Sequence, residues 1–282
     1  MIKVNGVVVN QKHFPDNSLL LKLGPYKDIR VSFDDVEIEW LYENDAELFT
    51  LICLKRHLDK DFKNIYLSLP YVPHARMDRE KEDEDVFTLK YFCEVINSLN
   101  FEMVQVRDAH SNVSLALLNN VYQEDVGYFI HEAIKKSNAE VLFYPDEGAM
   151  KRYSANTDKP YAFGIKRRDW KTGNILGLDI INEELVKDKD ILIVDDICSK
   201  GGTFLHSAKA LKAAGAKSVS LYVTHLEKTV TTGELAQTDD LIDHIYTTES
   251  IFPEELLTDN FYDPYWREWI TILKWKGVCR IE

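Results

Sequence analysis

The amino-acid sequence predicts an α/β fold in which mainly parallel sheets are flanked by helices, with a division into two subdomains at residues 1–135 and 136–282. The chain has 282 residues, enough for two domains of the usual size of about 140 residues. The apolar run ILIV at 191–194 is short and rich in β-branched residues, which is typical of a strand buried on both faces of a parallel sheet. Apolar spacing predicts helices, the first with Asn44 as its N-cap, at 44–58, from the acidic run at 80–85 to about 99, and at 126–137.

The composition indicates a folded globular chain and narrows the classes of partner. Apolar residues make up 45% of the sequence and charged residues 29%, a balance typical of soluble domains. The formal net charge of −13 argues against a nonspecific nucleic-acid binder, because phosphate backbones are held by surplus lysine and arginine. The four cysteines have neither metal-site nor disulfide spacing, and no apolar run approaches a membrane span. We therefore expect a cytoplasmic protein that uses neither nucleic acid nor membrane as a partner.

The stretch DILIVDDICSKGGT carries the strongest chemical signal. Asp195 and Asp196 follow the apolar run at the carboxyl end of the predicted strand, the edge at which open α/β sheets bind ligands. Gly201 and Gly202 permit a tight turn that directs backbone N–H groups toward an anion, at the start of a helix that Thr203 is predicted to cap. Carboxylates suit hydroxyls or a divalent cation, so a ribose that carries a phosphate fits both halves. The alternative is a solvated strand end followed by an ordinary turn.

Two neighbouring stretches, VDDICSKGGTF and SAKALKAAGAKSVSLYVTH, resemble the phosphoribosyl-diphosphate loop of type I phosphoribosyltransferases. They are still more similar to the loop of ribose-phosphate diphosphokinases, the PRPP synthetases. The resemblance implies two phosphoribosyltransferase-type subdomains. It also implies a ribose-phosphate site formed by Asp195, Asp196, Ser199, Lys200, Gly201, Gly202 and Thr203. Where those families usually have Asp-Thr, this chain has Ser199 and Lys200, so the loop loses an acid and gains a cation.

Segments of the N-terminal half resemble the ATP-binding parts of diphosphokinases. HFPDNSLLLKL is similar to a hairpin that reaches into a neighbouring subunit and holds adenine, which implies that role for Phe14 and Asp16. PYVPHARMDRE resembles the family's Ala-Arg-Gln-Asp-Arg signature, which implies ATP binding by Arg76, Asp78 and Arg79. Two arginines around an acid can clamp a polyphosphate while the acid fixes one guanidinium. The alternatives are a surface hairpin with its phenylalanine in the local core and a plain surface ion pair.

Two further predicted strand ends, in MVQVRDAH and EVLFYPDEGAMKR, resemble family segments near the metal and the phosphates. The resemblance implies Mg²⁺ in the neighbourhood of His110 and Asp146, with His110 also close to ATP. The sequence predicts that three strand ends bring these two residues and the pair Asp195 and Asp196 to one rim. A lone histidine with a purely structural role is the alternative for His110.

A cluster of positive charge in PYAFGIKRRDWKTGNILGLD predicts a mobile hairpin or flap with a turn at 171–174. The stretch resembles the start of the flexible catalytic loop of diphosphokinases. The resemblance implies that Lys166 and Arg168 stabilise the transferred group. The alternative is a surface hairpin whose cations only add solubility.

The implied reaction is transfer of the β,γ-diphosphate of Mg-ATP to the anomeric 1-hydroxyl of ribose 5-phosphate, which gives PRPP and AMP for nucleotide biosynthesis. The changed loop leaves open the same transfer onto ADP-ribose, which would give ADP-ribose 1-diphosphate for NAD salvage. A phosphoribosyltransferase or a noncatalytic regulatory homologue is a further alternative. The hairpin implies a homodimer or a higher homo-oligomer. An aromatic tail, predicted to serve packing or a subunit interface, contains Tyr262, Tyr265, Trp266, Trp269 and Trp275.

Overall fold

The computed structural model of the protein describes residues 1–23, 35–168, 175–237, 241–257 and 268–274. The chain divides into two compact units, Met1–Asp125 and Val126–Glu282. The predicted flap turn at 171–174 lies outside the described residues, as do the tail aromatics other than Trp269. Trp269 is buried, and its Nε1 donates to the carbonyl of Ile242 at 2.8 Å, so this member of the tail packs in the second unit.

The first unit is built on a six-stranded sheet with the order β2-β1-β5-β6-β7-β8. Strands β5 to β8 are parallel, and β1 pairs antiparallel with both β2 and β5. A separate antiparallel hairpin joins β3 and β4. The elements are β1 Ile2–Val4, β2 Val7–Val8, β3 Gln11–His13, β4 Leu19–Leu21, β5 Asp35–Trp40, α1 Ala46–Leu58, β6 Asn64–Leu69, α2 Thr88–Ser98, β7 Val104–Arg107, α3 Asn112–Leu117 and β8 Val121–Glu124.

The helices of the first unit follow the predicted apolar spacing, but their starts differ. Helix α1 begins at Ala46 with Asp45 as N-cap, and the predicted cap Asn44 accepts from the Ala46 N–H at 3.1 Å instead. Helix α2 begins at Thr88, so the acidic run at 80–85 is a loop rather than a first helical turn. There, Asp85 Oδ2 accepts from the N–H groups of Lys81 and Glu82. This local bonding satisfies the carboxylate without a helix.

The second unit is built on a seven-stranded sheet with the order β11-β10-β9-β12-β13-β14-β15. All neighbouring pairs are parallel except β10 and β11. Its elements are α4 Gly127–Ser137, β9 Val141–Tyr144, α5 Glu147–Tyr153, β10 Tyr161–Arg168, β11 Ile175–Ile181, β12 Asp190–Cys198, α6 Gly202–Ala213, β13 Ser218–Leu226, β14 His244–Thr248 and β15 Ile270–Leu273. The predicted α/β fold with mainly parallel sheets and flanking helices is confirmed.

Helices cover both faces of the second sheet. Leu192 and Val194 of β12 share a buried cluster with α4 and α5, whereas Ile191 and Ile193 share one with α6. This alternation is expected for a central strand, because successive side chains point to opposite faces. The predicted subdomain boundary at 135/136 falls inside α4, whereas the structure divides the chain before α4, whose Phe129 and Ile130 pack with this second sheet.

None of the helices in the described part of the chain has the length and apolarity needed to cross a membrane. The described cysteines Cys53, Cys93 and Cys198 are free thiols. Burial raises the pKa of Cys93 to about 12. This thiol therefore stays protonated in the core of the first unit.

Candidate active site

An acid-arginine arrangement lies at the carboxyl edge of the first sheet, in the loop after β6. Asp78 receives two hydrogen bonds from the Arg79 guanidinium, from Nε at 2.7 Å and from Nη2 at 3.0 Å. Ser111, which follows the adjacent strand β7, donates to Asp78 Oδ2 at 2.7 Å. These hydrogen bonds hold the pKa of Asp78 well below its ordinary value, and those from Arg79 contribute more than the one from Ser111. The carboxylate is thus ionised and orients an exposed guanidinium, as a polyphosphate clamp requires.

His110 stands beside this arrangement, between β7 and the Ser111 N-cap of α3. It adds to the lowering of the Asp78 pKa through its charge, so it belongs to the same sheet edge as Asp78. Asp146 and Asp195 belong to the other sheet. The strands before these residues thus form two separate sheets, and their meeting at one rim stays a prediction.

The hairpin of β3 and β4 presents its tip to solvent. Phe14 is 49% exposed, so the alternative that this ring packs in the local core is wrong for the described structure. Asp16 Oδ1 accepts from the N–H of Ser18 at 3.0 Å and from its hydroxyl at 2.7 Å. Ser18 thus fixes the turn and lowers the pKa of Asp16, chiefly through its hydroxyl.

Asp195 and Asp196 lie within β12 rather than after it. The strand pairs with β13 as far as Cys198, whereas its pairing with β9 covers Ile191 to Ile193. The predicted strand end at Val194 is therefore wrong, because one neighbour continues four residues further. The strand alternation assigns Asp196 to the face covered by α5 and Asp195 to the face covered by α6.

Helix α5 connects two of the acidic positions. Asp146 is its N-cap and accepts from the Ala149 N–H at 3.1 Å. At the other end of the helix, Arg152 Nη1 donates to Asp196 Oδ2 at 3.2 Å. Asp196 is 7% exposed, and this ion pair offsets part of the cost of burying its charge. The Arg152 guanidinium also lies over the Tyr153 ring, 5.9 Å from its centroid.

The predicted phosphate loop forms a tight connection between β12 and α6. Gly201 is the N-cap of α6 with φ +87°, a left-handed conformation that favours glycine. The prediction that Thr203 caps the helix is wrong, since the helix already begins at Gly202. Just after the end of α6, Gly215 has φ +90°, which agrees with the preference of helix C-termini for a residue that tolerates positive φ.

A segment after β13, residues 227–235, packs against the loop and is called the bracing segment here. The Glu227 N–H donates to the Cys198 carbonyl at 2.8 Å, and the Glu234 N–H donates to the Lys200 carbonyl at 2.8 Å. A Cβ on Gly233 would stand 2.3 Å from the Lys200 carbonyl oxygen, a distance that only glycine avoids. The backbone of the loop is therefore held from outside as well as by α6.

The side chains of the bracing segment also reach the loop. Thr229 donates its hydroxyl proton to Glu227 Oε2 at 3.2 Å and lies 3.1 Å from the Ser199 hydroxyl. Because a hydroxyl has one proton to donate, Ser199 is the donor in its contact with Thr229. The Lys200 side chain is exposed. In this arrangement Lys200 is the charged group of the loop directed to solvent.

The flap residues Lys166 and Arg168 lie at the end of β10, which pairs with β11 across the predicted flap. Within the described ranges no group of three or more histidine, cysteine or carboxylate side chains forms a metal site.

Comparison with known proteins shows what this chain is similar to. Residues 150–252 match the family described as "Phosphoribosyl transferase domain". A ribose-phosphate pyrophosphokinase of Saccharolobus solfataricus is 25% identical over 232 residues, which cover 78% of this chain and 77% of that protein. The enzyme of the same name from Ureaplasma parvum is 31% identical over 196 residues, covering 64% of this chain and 57% of its own length. Over most of its length, the chain is thus similar to ribose-phosphate pyrophosphokinases.

A solved structure is also similar to this chain at the level of the fold. Phosphoribosylpyrophosphate synthetase from Mycobacterium smegmatis superposes with a TM-score of 0.70 at 17% identity, covering 94% of this chain and 85% of that one. The predicted likeness to ribose-phosphate diphosphokinases, with a diphosphokinase-like transferase as the enzyme class, is confirmed by these relatives. The roles of this chain's individual site residues stay predictions.

Sequence reasoning missed three features of the pyrophosphokinase homologue: Arg152, Ser111 and the bracing segment. A signal for Arg152 was present, because it stands six residues after Asp146 and so falls near the end of the short helix that Asp146 caps. Ser111 gave the signal of an N-cap before a helix. The bracing segment gave none, since its contacts with the loop span about thirty residues of sequence and depend on how β13 ends.

Proposed function

We propose that this protein transfers the β,γ-diphosphate of ATP to the 1-hydroxyl of a ribose phosphate, with ribose 5-phosphate as the leading acceptor. The new bond joins the anomeric oxygen to the β-phosphorus. The bond from the β-phosphorus to the oxygen bridging it to the α-phosphorus breaks, AMP leaves with that oxygen, and the hydroxyl proton passes to solvent. The product is PRPP. Chemistry of this kind depends on positioning and charge neutralisation.

The observation that carries the proposal is the Asp78 arrangement in the first unit. A phosphoribosyltransferase needs the ribose-phosphate loop but has no need of an acid-oriented arginine for a nucleotide polyphosphate. Here Asp78 holds the Arg79 guanidinium in a bidentate contact while the rest of that side chain stays exposed. We assign ATP binding to this pair together with Arg76 and His110.

The remaining roles rest on the family resemblance and on the loop. The backbone N–H groups at Gly201, Gly202 and Thr203 would hold the 5-phosphate, with Lys200 at the loop entrance. Asp195 and Asp196 would accept hydrogen bonds from the ribose hydroxyls. Mg²⁺, near His110 and Asp146, would neutralise phosphate charge when bound with ATP. Lys166 and Arg168 would stabilise charge developing on the transferred group and the leaving AMP.

The exposed Lys200 favours a second acceptor, ADP-ribose, because a further phosphate on the 5-position needs a cation outside the loop. The product would be ADP-ribose 1-diphosphate, an intermediate suited to NAD salvage. We further propose a homo-oligomer in which Phe14 and Asp16 contact adenine bound to a neighbouring subunit. The exposure of the Phe14 ring supports this role.

The test is AMP release from Mg-ATP in parallel reactions with ribose 5-phosphate, with ADP-ribose and without acceptor. We expect AMP only when an acceptor is present, and a new 1-diphosphate signal in the phosphorus NMR spectrum. Strong preference for ADP-ribose would overturn the leading assignment. AMP formation without acceptor, or none in any reaction, would contradict the diphosphokinase proposal itself.

A further inference from the structure

The carboxylate of Glu234 lies against the start of α6. Both of its oxygens are 2.9 Å from the position that a Cβ would occupy on Gly202, the first residue of that helix. The Glu234 backbone is fixed there by its N–H bond to the Lys200 carbonyl. The loop that binds phosphate in the proposed function therefore has a carboxylate of the same chain beside it.

The position matters because a helix N-terminus stabilises negative charge from any source. A carboxylate already beside Gly202 benefits from that field, and it repels a second anion that approaches the same N–H groups. The repulsion increases with the charge of the incoming phosphate. A phosphate monoester carries close to two negative charges above its second pKa of about 6, whereas a phosphodiester carries one.

We propose that Glu234 is a specificity-determining residue, which makes the loop discriminate against the dianionic 5-phosphate of a monoester relative to a monoanionic 5-phosphodiester. This inference rests on the proposed function, because it assumes that the acceptor's phosphate binds at Gly201 and Gly202. It gives the bracing segment a role beyond support of the loop. Lys200 attracts both kinds of ester, and Glu234 sets the ratio between them.

The structure also explains why the effect is moderate. Glu234 is exposed, so water and salt screen its field. One charge at a helix terminus changes an exposed interaction by a factor of about 3. Removing the carboxylate charge should then strengthen binding of a monoanion about 3-fold and of a dianion about 9-fold, the square of that factor.

A minimal pair of ligands tests the inference: ribose 5-phosphate and its methyl ester, ribose 5-(methyl phosphate), which differ by one charge. Dissociation constants are measured by isothermal titration calorimetry at about pH 8, without ATP or Mg²⁺, for the full chain and for Glu234→Gln. We expect the ratio of the two constants to shift about 3-fold toward the monoester in the variant. The matched control is Glu183→Gln, an exposed carboxylate on a 3₁₀ turn before β12, which should leave the ratio unchanged.

Equal changes for the two esters, or a shift no larger than that of Glu183→Gln, would overturn the role of Glu234. AMP release measured on the same samples reports the proposed function separately. Acceptor-dependent AMP release with an unchanged ratio overturns only this inference, and a shifted ratio without AMP release overturns only the diphosphokinase proposal. If neither ester binds to either protein, the loop assignment fails and the inference fails with it.

Discussion

Replacing Arg152 by methionine should destabilise the second unit, because Asp196 would then lose its guanidinium in a buried position. Removing one partner of a fully buried ion pair costs about 3–5 kcal/mol, and a hydrogen bond to a charged group contributes about 1.5–3 kcal/mol. The Arg152 side chain is 30% exposed, so water can replace part of the lost contact. We expect a loss of about 2 kcal/mol in the free energy of unfolding, a fall of about 4–8 °C in the Tm of a unit of this size.

The assay is thermal and urea unfolding followed by circular dichroism. The matched control is Lys151→Met in the same helix, where Lys151 pairs with Glu147 at 2.8 Å while both side chains are about two-thirds exposed. Exposed pairs of this kind contribute little, so that change should stay within about 0.5 kcal/mol. The double variant Arg152→Met with Asp196→Asn should lose less than the sum of the single changes. Equal effects of Arg152→Met and Lys151→Met would refute the reasoning.

Three further predictions follow from the flap, the hairpin and a half-buried histidine. Lys166→Ala or Arg168→Ala should lower kcat by about 10² to 10³, whereas the control Arg167→Ala should change kcat far less. If steady-state kinetics give a wild-type kcat for Lys166→Ala and Arg168→Ala, these residues have no catalytic role. Phe14→Ala should raise the KM for ATP. If ATP sites are shared between subunits, mixing the Phe14→Ala chain with the Lys166→Ala chain should restore activity. No restoration at any protein concentration would contradict shared sites. Burial lowers the pKa of His244, so the stability tied to its neutral form is present above the unfolded pKa of about 6.5 and is lost as pH falls below it. A Tm that declines from about pH 7 to pH 5 in the wild type, but less steeply in His244→Gln, is the expected result, whereas equal slopes would contradict it.

The sequence predicted the fold well because its signals are local. The run at 191–194 is apolar on every position, and four buried side chains in succession are what a central parallel strand needs. The position of Gly215 was predictable for the same reason, since a helix end requires positive φ at one particular residue. The start of α2 was not, because Asp85 bonds to its own loop, and this competition between turn and helix depends on a few side-chain contacts.

The site was predicted less completely because its parts come together through the tertiary structure. Asp78 and Arg79 are adjacent in sequence, so their contact was foreseeable, but the Ser111 bond depends on the parallel pairing of β6 with β7. The sequence also did not indicate that the strands before His110 and Asp146 belong to two different sheets. A strand followed by an acid predicts which end of a strand binds ligand, and it carries no information on which sheet the strand joins.

The charge around the proposed phosphate loop also depends on such tertiary contacts. Within the loop, exchange of an acid and a threonine for Ser199 and Lys200 shifts the charge by about two units at neutral pH, which by itself would favour a more highly charged phosphate. The structure adds the carboxylate of Glu234 beside Gly202 and that of Glu227 behind Ser199. The Ser199 proton is directed away to Thr229, and the added positive charge is offset by acids from a distant part of the chain. A phosphate bound in the loop as we propose would therefore meet an outward cation and then a nearby anion. This order would favour a second phosphate near Lys200 over a second charge at Gly202.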